Sequence, residues 1–239
     1  MRVILFGATG MVGQGVLREC VLDPEVETVL AVVRRARSLG PELTGGKVRE
    51  LVAENFYDFA GIENEFAGYD ACLFCLGVSS VGMKEAEYRR VTYDLATAAA
   101  RAVLRANEAS GSAGQQASES ARQRAGGMTF IYVSGAGTDA KGGQMWARVK
   151  GETENALLQM GFKAAYMFRP GLIVPLHGIR SKTAVYQVTY TLLTPLLPIL
   201  LRAFPKHVTT TEQVGRAMLR VAKQGYPKAV LEAADIASA

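Results

Sequence analysis

The chain has 239 residues, 49% of them hydrophobic, which is enough for one compact domain with a large core. Its 27 basic and 22 acidic residues leave a net charge of +5, interspersed and without a long basic block. That balance suits anionic small molecules and excludes a nucleic-acid tract as the organising feature. Three cysteines and an N-terminal apolar run too short for a secretory segment lead to the expectation of a cytoplasmic protein with reduced thiols.

Val3–Phe6 reads as a buried strand, and Met11–Leu22 has helical periodicity. Gly7, Gly10 and Gly13 are spaced through the turn between them, with Thr9, Met11 and Val12 interleaved. So tight a turn needs backbone angles free of a Cβ penalty, and a phosphate must come close to the chain. The following helix aims its free N–H groups and positive dipole end at the same spot. The stretch therefore reads as an anion cradle suited to a dinucleotide pyrophosphate.

A second strand, Thr28–Val33, ends at Arg34 and Arg35, with Arg37 nearby. A carboxylate at this strand end suits the 2′-hydroxyl of NAD, and an arginine suits the 2′-phosphate of NADP. The expected cofactor is NADP(H), with NAD(H) second. For Arg35 and Arg37 an ordinary solvated basic turn is a serious competitor. Val48–Ala53 follows as a third strand and Tyr69–Leu76 as a fourth, leading to the loop Gly77–Ser80. Cys72 and Cys75 lie three apart on that strand, so they point to opposite faces and read as core residues rather than a metal or redox pair.

A long helix is predicted over Glu85–Asn107, a fifth strand over Met128–Ser134, a helix over Met145–Met160 closed by Gly161, and a sixth strand over Ala164–Phe168. This alternation predicts an α/β fold, a Rossmann-type doubly wound parallel sheet in three α/β/α layers. Right-handed crossovers then align Gly7–Gly13, Gly77–Ser80 and Ser134–Gly137 along one carboxyl edge, where a ligand belongs. The whole chain is read as a single domain, with residues 1–175 as dinucleotide-binding core and 176–239 as a substrate-cleft segment. Ser110–Gly127, rich in small polar residues, reads as a flexible insertion. Thr183–Leu201 is uncharged but holds Pro195 and Pro198, which would interrupt a spanning helix. It reads as a helix covering the cleft or joining a homodimer, with peripheral membrane contact as the lesser alternative. Thr209–Glu212 reads as the N-cap of a helix over Gln213–Lys223. His177 and His207 lack recognisable partners and read as structural or exposed.

The opening G-x-x-G-x-x-G, Cys75-Leu76-Gly77, Tyr132-Val133-Ser134, Val149-Lys150-Gly151-Glu152 and Phe168-Arg169-Pro170-Gly171 occur in an order that resembles the short-chain dehydrogenase/reductase superfamily in its atypical branch. Within it, the chain is similar to the group around the HIV Tat-interacting oxidoreductase-like protein and to bacterial nucleoside-diphosphate-sugar epimerase-like proteins. The resemblance implies that Leu76, Gly77 and Pro170 border the cofactor, that Lys150 holds the nicotinamide ribose, and that Ser134 polarises a substrate carbonyl. In active members a Tyr four residues before the Lys acts as general acid or base. Here that position is Trp146, whose indole cannot exchange a proton near neutral pH. Tyr88, Tyr93, Tyr132 and Tyr166 offer no evident substitute. Arg169 could meet a substrate anion or a structural carboxylate. Two functions stay open: an NADP-dependent oxidoreductase or epimerase-like enzyme on a small carbonyl or sugar, and a non-catalytic dinucleotide sensor, which Trp146 favours.

Overall fold

The computed structural model describes residues 1–39, 46–112, 127–179 and 207–239. Most of the expected insertion and the whole uncharged segment 183–201 lie outside the described residues. No described helix is long and apolar enough to cross a membrane.

A seven-stranded, all-parallel sheet forms the centre. Its strands are β1 (Arg2–Phe6), β2 (Thr28–Val33), β3 (Val48–Val52), β4 (Ala71–Phe74), β5 (Thr129–Val133), β6 (Ala164–Arg169) and, nearer the C-terminus, a short strand at Val230–Glu232. The spatial order is β3-β2-β1-β4-β5-β6 followed by that last strand. Val3, Ile4, Leu5 and Phe6 are all fully buried, because helices cover both faces of the sheet. Alternate residues enter separate cores. Val3, Leu5, Val29, Ala31, Leu73 and Phe168 face one side. Ile4, Phe6, Leu30, Val32, Phe74 and Phe130 face the other, where Phe6 meets Phe56, Phe59, Phe66 and Phe74. Cys72 joins the second core and Cys75 packs against the first, so the two thiols do point apart.

Helix α1 (Met11–Leu22) connects β1 to β2, as the periodicity predicts. The long helix after β4 is built in three pieces: α2 (Glu85–Arg89), a π-helical turn (Arg90–Asp94) and α3 (Leu95–Ser112). Its end overruns Asn107, so residues 110–112, expected in the insertion, are helical. Helix α4 (Met145–Leu158) follows β5. Three strands were not evident in the sequence: β7 (Leu172–Val174), β8 (Val208–Thr210) and β9 (Val230–Glu232), the last strand of the sheet. Each is only three residues long, too short for a two-residue period to register. Helix α5 (Thr211–Gln224) starts on a Thr210 cap whose side chain accepts the Gln213 N–H, and α6 (Ala233–Ser238) ends the chain.

Strand order reverses between β1 and β4. The chain leaves β1 for β2 and β3 on one side, then returns to β4 and continues the other way. In such sheets the crevice opens at this switch, beyond the carboxyl ends of the strands. Two glycines make the edge there compact. Gly7 has φ +87°, and a Cβ on it would lie 2.8 Å from the Cys75 carbonyl carbon and the Leu76 nitrogen. A Cβ on Gly13 would lie 2.0 Å from the Gly7 carbonyl oxygen. Gly13→Ala therefore forces β1 and α1 apart. It should cost about 1–3 kcal/mol, the range for overpacking, read as a lower urea midpoint at unchanged slope.

Candidate active site

A cleft of about 480 Å³ lies at the switch point. Gly10, Met11 and Val12 form one wall at the start of α1, and Cys75 through Ser79 form another beyond β4. Val133, Ser134 and Gly135 enter from the end of β5, Lys150 from α4, and Pro170 through Ile173 from the turn after β6. The three loops expected to share an edge thus meet in one place. Of the predicted cofactor residues, Gly10, Met11, Val12, Leu76, Gly77, Lys150 and Pro170 line the cleft. Gly7, Thr9 and Gly13 stand behind it and shape the turn: the Gly10 N–H donates to the Gly7 carbonyl at 2.9 Å, and Gln14 Nε2 donates to the Thr9 carbonyl at 3.1 Å. Leu172 and Ile173, which no motif marked, reach the cleft on β7, which pairs with β8.

The start of α1 has the character of an anion site. Gly10 is its N-cap residue, no side chain caps the helix, and its first turn carries no acid. A Cβ on Gly10 would meet only the Gly7 carbonyl, at 3.3 Å. The fold therefore demands bare backbone less strictly here than at Gly7 or Gly13.

Arg34 and Arg35 are exposed at the end of β2, outside the cleft lining, and neither guanidinium has an ion-pair partner among the described residues. Arg37 differs: its backbone is left-handed at φ 55°, and its N–H donates to Glu50 Oε2 at 2.7 Å. The Leu39 N–H takes the other Glu50 oxygen at 2.7 Å. Glu50 on β3 thus pins this turn by its backbone.

Ser134, which lines the cleft, belongs to an ionic network centred on the buried Glu154. The Ser134 hydroxyl donates to Glu154 Oε1 at 2.5 Å and lies 3.2 Å from the Phe168 carbonyl oxygen. Glu154 is 2% exposed, and Arg169 grips it with Nε at 3.0 Å and Nη2 at 2.5 Å. Arg169 also donates to Glu232 on β9 at 3.1 Å. Of the two partners open for Arg169, the structure supplies the structural carboxylate. Ser134 is in the expected place, but its hydroxyl is turned inward to Glu154. Glu154 itself was not singled out in the sequence, although it lies one helical turn beyond Lys150.

The Lys150 ammonium donates to the Ser134 carbonyl oxygen. Burial pushes its pKa down to about 8, while the Glu154 carboxylate acts to raise it. Trp146 turns aside: its indole N–H donates to Gln144 Oε1 at 2.5 Å, and its ring packs against Gly137. The tyrosines are engaged elsewhere. Tyr88 and Tyr132 are buried, Tyr93 stacks under the Arg89 guanidinium, and the Tyr166 hydroxyl accepts the Tyr226 N–H at 3.0 Å. His177 has a partner that sequence spacing did not reveal, Glu212 Oε2 at 2.6 Å, and that contact holds the Glu212 carboxyl below its usual range. The His207 carbonyl accepts the Leu172 N–H at 2.9 Å.

A second cleft, of about 470 Å³, runs between α1 and α5. Most of its charges pair among themselves, Lys223 with Asp23 and Glu25 and Arg216 with Glu19, while Arg220 donates to the Ala239 oxygen. It has the character of a helix–helix seam.

No family model matches the chain. Among curated proteins, it is 24% identical over 176 residues to "Protein FMP52-1, mitochondrial" of Scheffersomyces stipitis, covering 73% of this chain and 68% of that protein. It is 23% identical to "Protein FMP52, mitochondrial" of Meyerozyma guilliermondii, covering 92% and 84%. These names overturn the expectation of a cytoplasmic protein: unpaired thiols argue against an oxidising compartment but do not separate one reducing compartment from another. Among solved structures, a short-chain dehydrogenase/reductase from Saccharomyces cerevisiae superposes with TM-score 0.61 at 12% identity, covering 95% of this chain and 92% of that one. The Bordetella bronchiseptica enzyme WbmH, solved with NAD+, gives 0.59 at 14% identity, covering 93% and 72%. The Helicobacter pylori ADP-L-glycero-D-manno-heptose-6-epimerase gives 0.60 at 14%, covering 93% and 73%. The fold of this chain is therefore the Rossmann fold shared by short-chain dehydrogenases/reductases and sugar-nucleotide epimerases.

Proposed function

We propose that the switch-point cleft binds a nicotinamide dinucleotide, NADP(H) in preference to NAD(H), and that the chain is an oxidoreductase or epimerase-like enzyme acting on a small carbonyl compound or sugar. The observation that carries this reading is the uncapped N-terminus of α1, presented by Gly10 at the wall of the cleft. The residues fit the group. Met11 and Val12 would hold the pyrophosphate through backbone N–H groups, and Gly10, whose own N–H donates to the Gly7 carbonyl, would let it come close. Leu76, Gly77 and Pro170 would flank the ring end, and Lys150 would meet the ribose. Arg34, with Arg35 beside it, would take the 2′-phosphate, since a guanidinium fork matches phosphate geometry. When bound, the nicotinamide supplies or accepts a hydride. Lys150 and the apolar side chains of Val133, Leu172 and Ile173 would position the substrate and exclude water. The chain is read as one functional unit, with residues 176–239 contributing the substrate side. The NAD+ in WbmH supports the class of cofactor, and the names of the fungal relatives support a mitochondrial setting.

A second reading, a non-catalytic dinucleotide sensor, is favoured by Trp146, which turns away from the cleft where a proton-relaying phenol would be expected. Turnover separates the two. NADPH oxidation against a panel of aldehydes, ketones and quinones stays at background for a sensor and exceeds it for an enzyme.

NADPH should bind at least tenfold more tightly than NADH in fluorescence titration, and Arg34→Ala should close most of that gap; equal wild-type affinities refute the NADP preference. Gly10→Val should abolish binding of both nucleotides while leaving the fold intact by circular dichroism. Wild-type affinity in that variant removes the pyrophosphate from α1.

A further inference from the structure

The cleft has lost the usual phenol but holds an ammonium group in its wall. We propose that Lys150 is itself the proton donor of this cleft, and that Glu154 is the positioning residue that acts through Ser134, whose carbonyl receives the ammonium. This rests on the coenzyme reading above for its reaction, but not for its test.

Three geometric facts carry the assignment. Lys150 is the one cationic side chain that lines the cleft among the described residues. Trp146 is committed to Gln144, and each of the four tyrosines considered is buried or bound outside the cleft. Glu154 sits one turn along α4 from Lys150, the spacing at which side chains share a helix face. It is held there from behind by Ser134 and bidentately by Arg169, which Glu232 anchors in turn. The Ser134 carbonyl accepts a hydrogen bond from one N–H of the ammonium, which leaves two to direct elsewhere.

The surroundings leave Lys150 as the group that titrates. The Glu154 carboxylate holds the Arg169 guanidinium behind it above its usual range, so Arg169 stays charged. Burial pushes the Cys75 thiol at the end of β4 and the phenols of Tyr132 on β5 and Tyr88 on α2 up, so they stay neutral. An ammonium poised near 8 meets the requirement that a general acid titrate close to working pH. In carbonyl reduction, the substrate carbon gains a hydride from the reduced dinucleotide, and the carbonyl π pair moves onto oxygen. That oxygen takes a proton from Lys150 Nζ, whose N–H bond breaks as the O–H bond forms. The neutral amine then recovers a proton from water. The dinucleotide is oxidised and the carbonyl reduced to an alcohol.

The test uses the full chain without coenzyme. Trace acetylation with acetic anhydride is run from pH 6 to 11, and modification of Lys150 is read by peptide mass spectrometry. The reactivity midpoint should fall near 8, about two units below an ordinary lysine. Glu154→Gln should move it further down, because the carboxylate that favours the ammonium is gone, and Glu154→Asp should restore it in part. A wild-type midpoint near 10 overturns the assignment without any variant, even if Glu154→Gln does not fold. A midpoint unmoved in folded Glu154→Gln removes Glu154 from the role. In reduction assays the rate should fall as pH rises through the midpoint. Lys150→Arg keeps the charge but cannot release a proton, so it should bind NADPH and lose about 10²–10⁴-fold in turnover. Full turnover in Lys150→Arg also overturns the proposal. Absence of NADPH binding with a midpoint near 8 instead sinks the coenzyme reading and leaves the state of Lys150 established.

Discussion

The constraint on which the rest depends is backbone touching backbone at the carboxyl edge of the sheet. Gly7 lies against the chain at Cys75 and Leu76, and Gly13 lies against Gly7, with no room for a methyl group at either place. These contacts lock β1, β4 and the start of α1 into one rigid corner. Because they do, the N-terminus of α1 opens into a cleft rather than onto solvent or a neighbouring side chain. The three glycines divide their work. Two close the corner, and Gly10 faces the space that the corner creates.

The opposite side of the cleft follows a different physical rule. Ser134, Glu154, Arg169 and Glu232 link the ends of β5, β6 and β9 to α4 by charge-assisted hydrogen bonds. A buried carboxylate as enclosed as Glu154 is tolerable only when its oxygens are satisfied. Arg169 does this with a planar fork that a lysine could not reproduce. The network sets the position of Ser134, and the Ser134 carbonyl in turn receives Lys150. One wall is thus fixed by steric exclusion, the other by electrostatic satisfaction, and Lys150 sits on the second.

Much of the fold was legible because the central strands are buried on both faces and read as unbroken apolar runs. Val3–Phe6 and Thr28–Val33 are the clearest examples. Gly7, Gly10 and Gly13 marked the edge, and the order of the later motifs marked the other loops that meet there. What escaped notice depends on contacts distant in sequence. β7 and β8 are three-residue strands that exist because they pair with each other across the intervening chain, and β9 exists because β6 offers it an edge. Glu154 looked like one more helix acid; only Arg169 and Ser134 arriving from other strands show what it holds. The partner of His177 is likewise a long-range contact. The reading of Arg34 as a 2′-phosphate ligand rests on its chemistry alone, since its exposed side chain makes no ion pair among the described residues.

The central claim is that the N–H groups at the start of α1 receive a pyrophosphate. Amide hydrogen exchange of the full chain, with and without saturating NADPH, tests it most directly. The account predicts protection concentrated at Met11–Gly13 and at Leu76–Gly77, with no change along the seam between α1 and α5. Protection along that seam, with the glycine turn exchanging as freely as before, would contradict it.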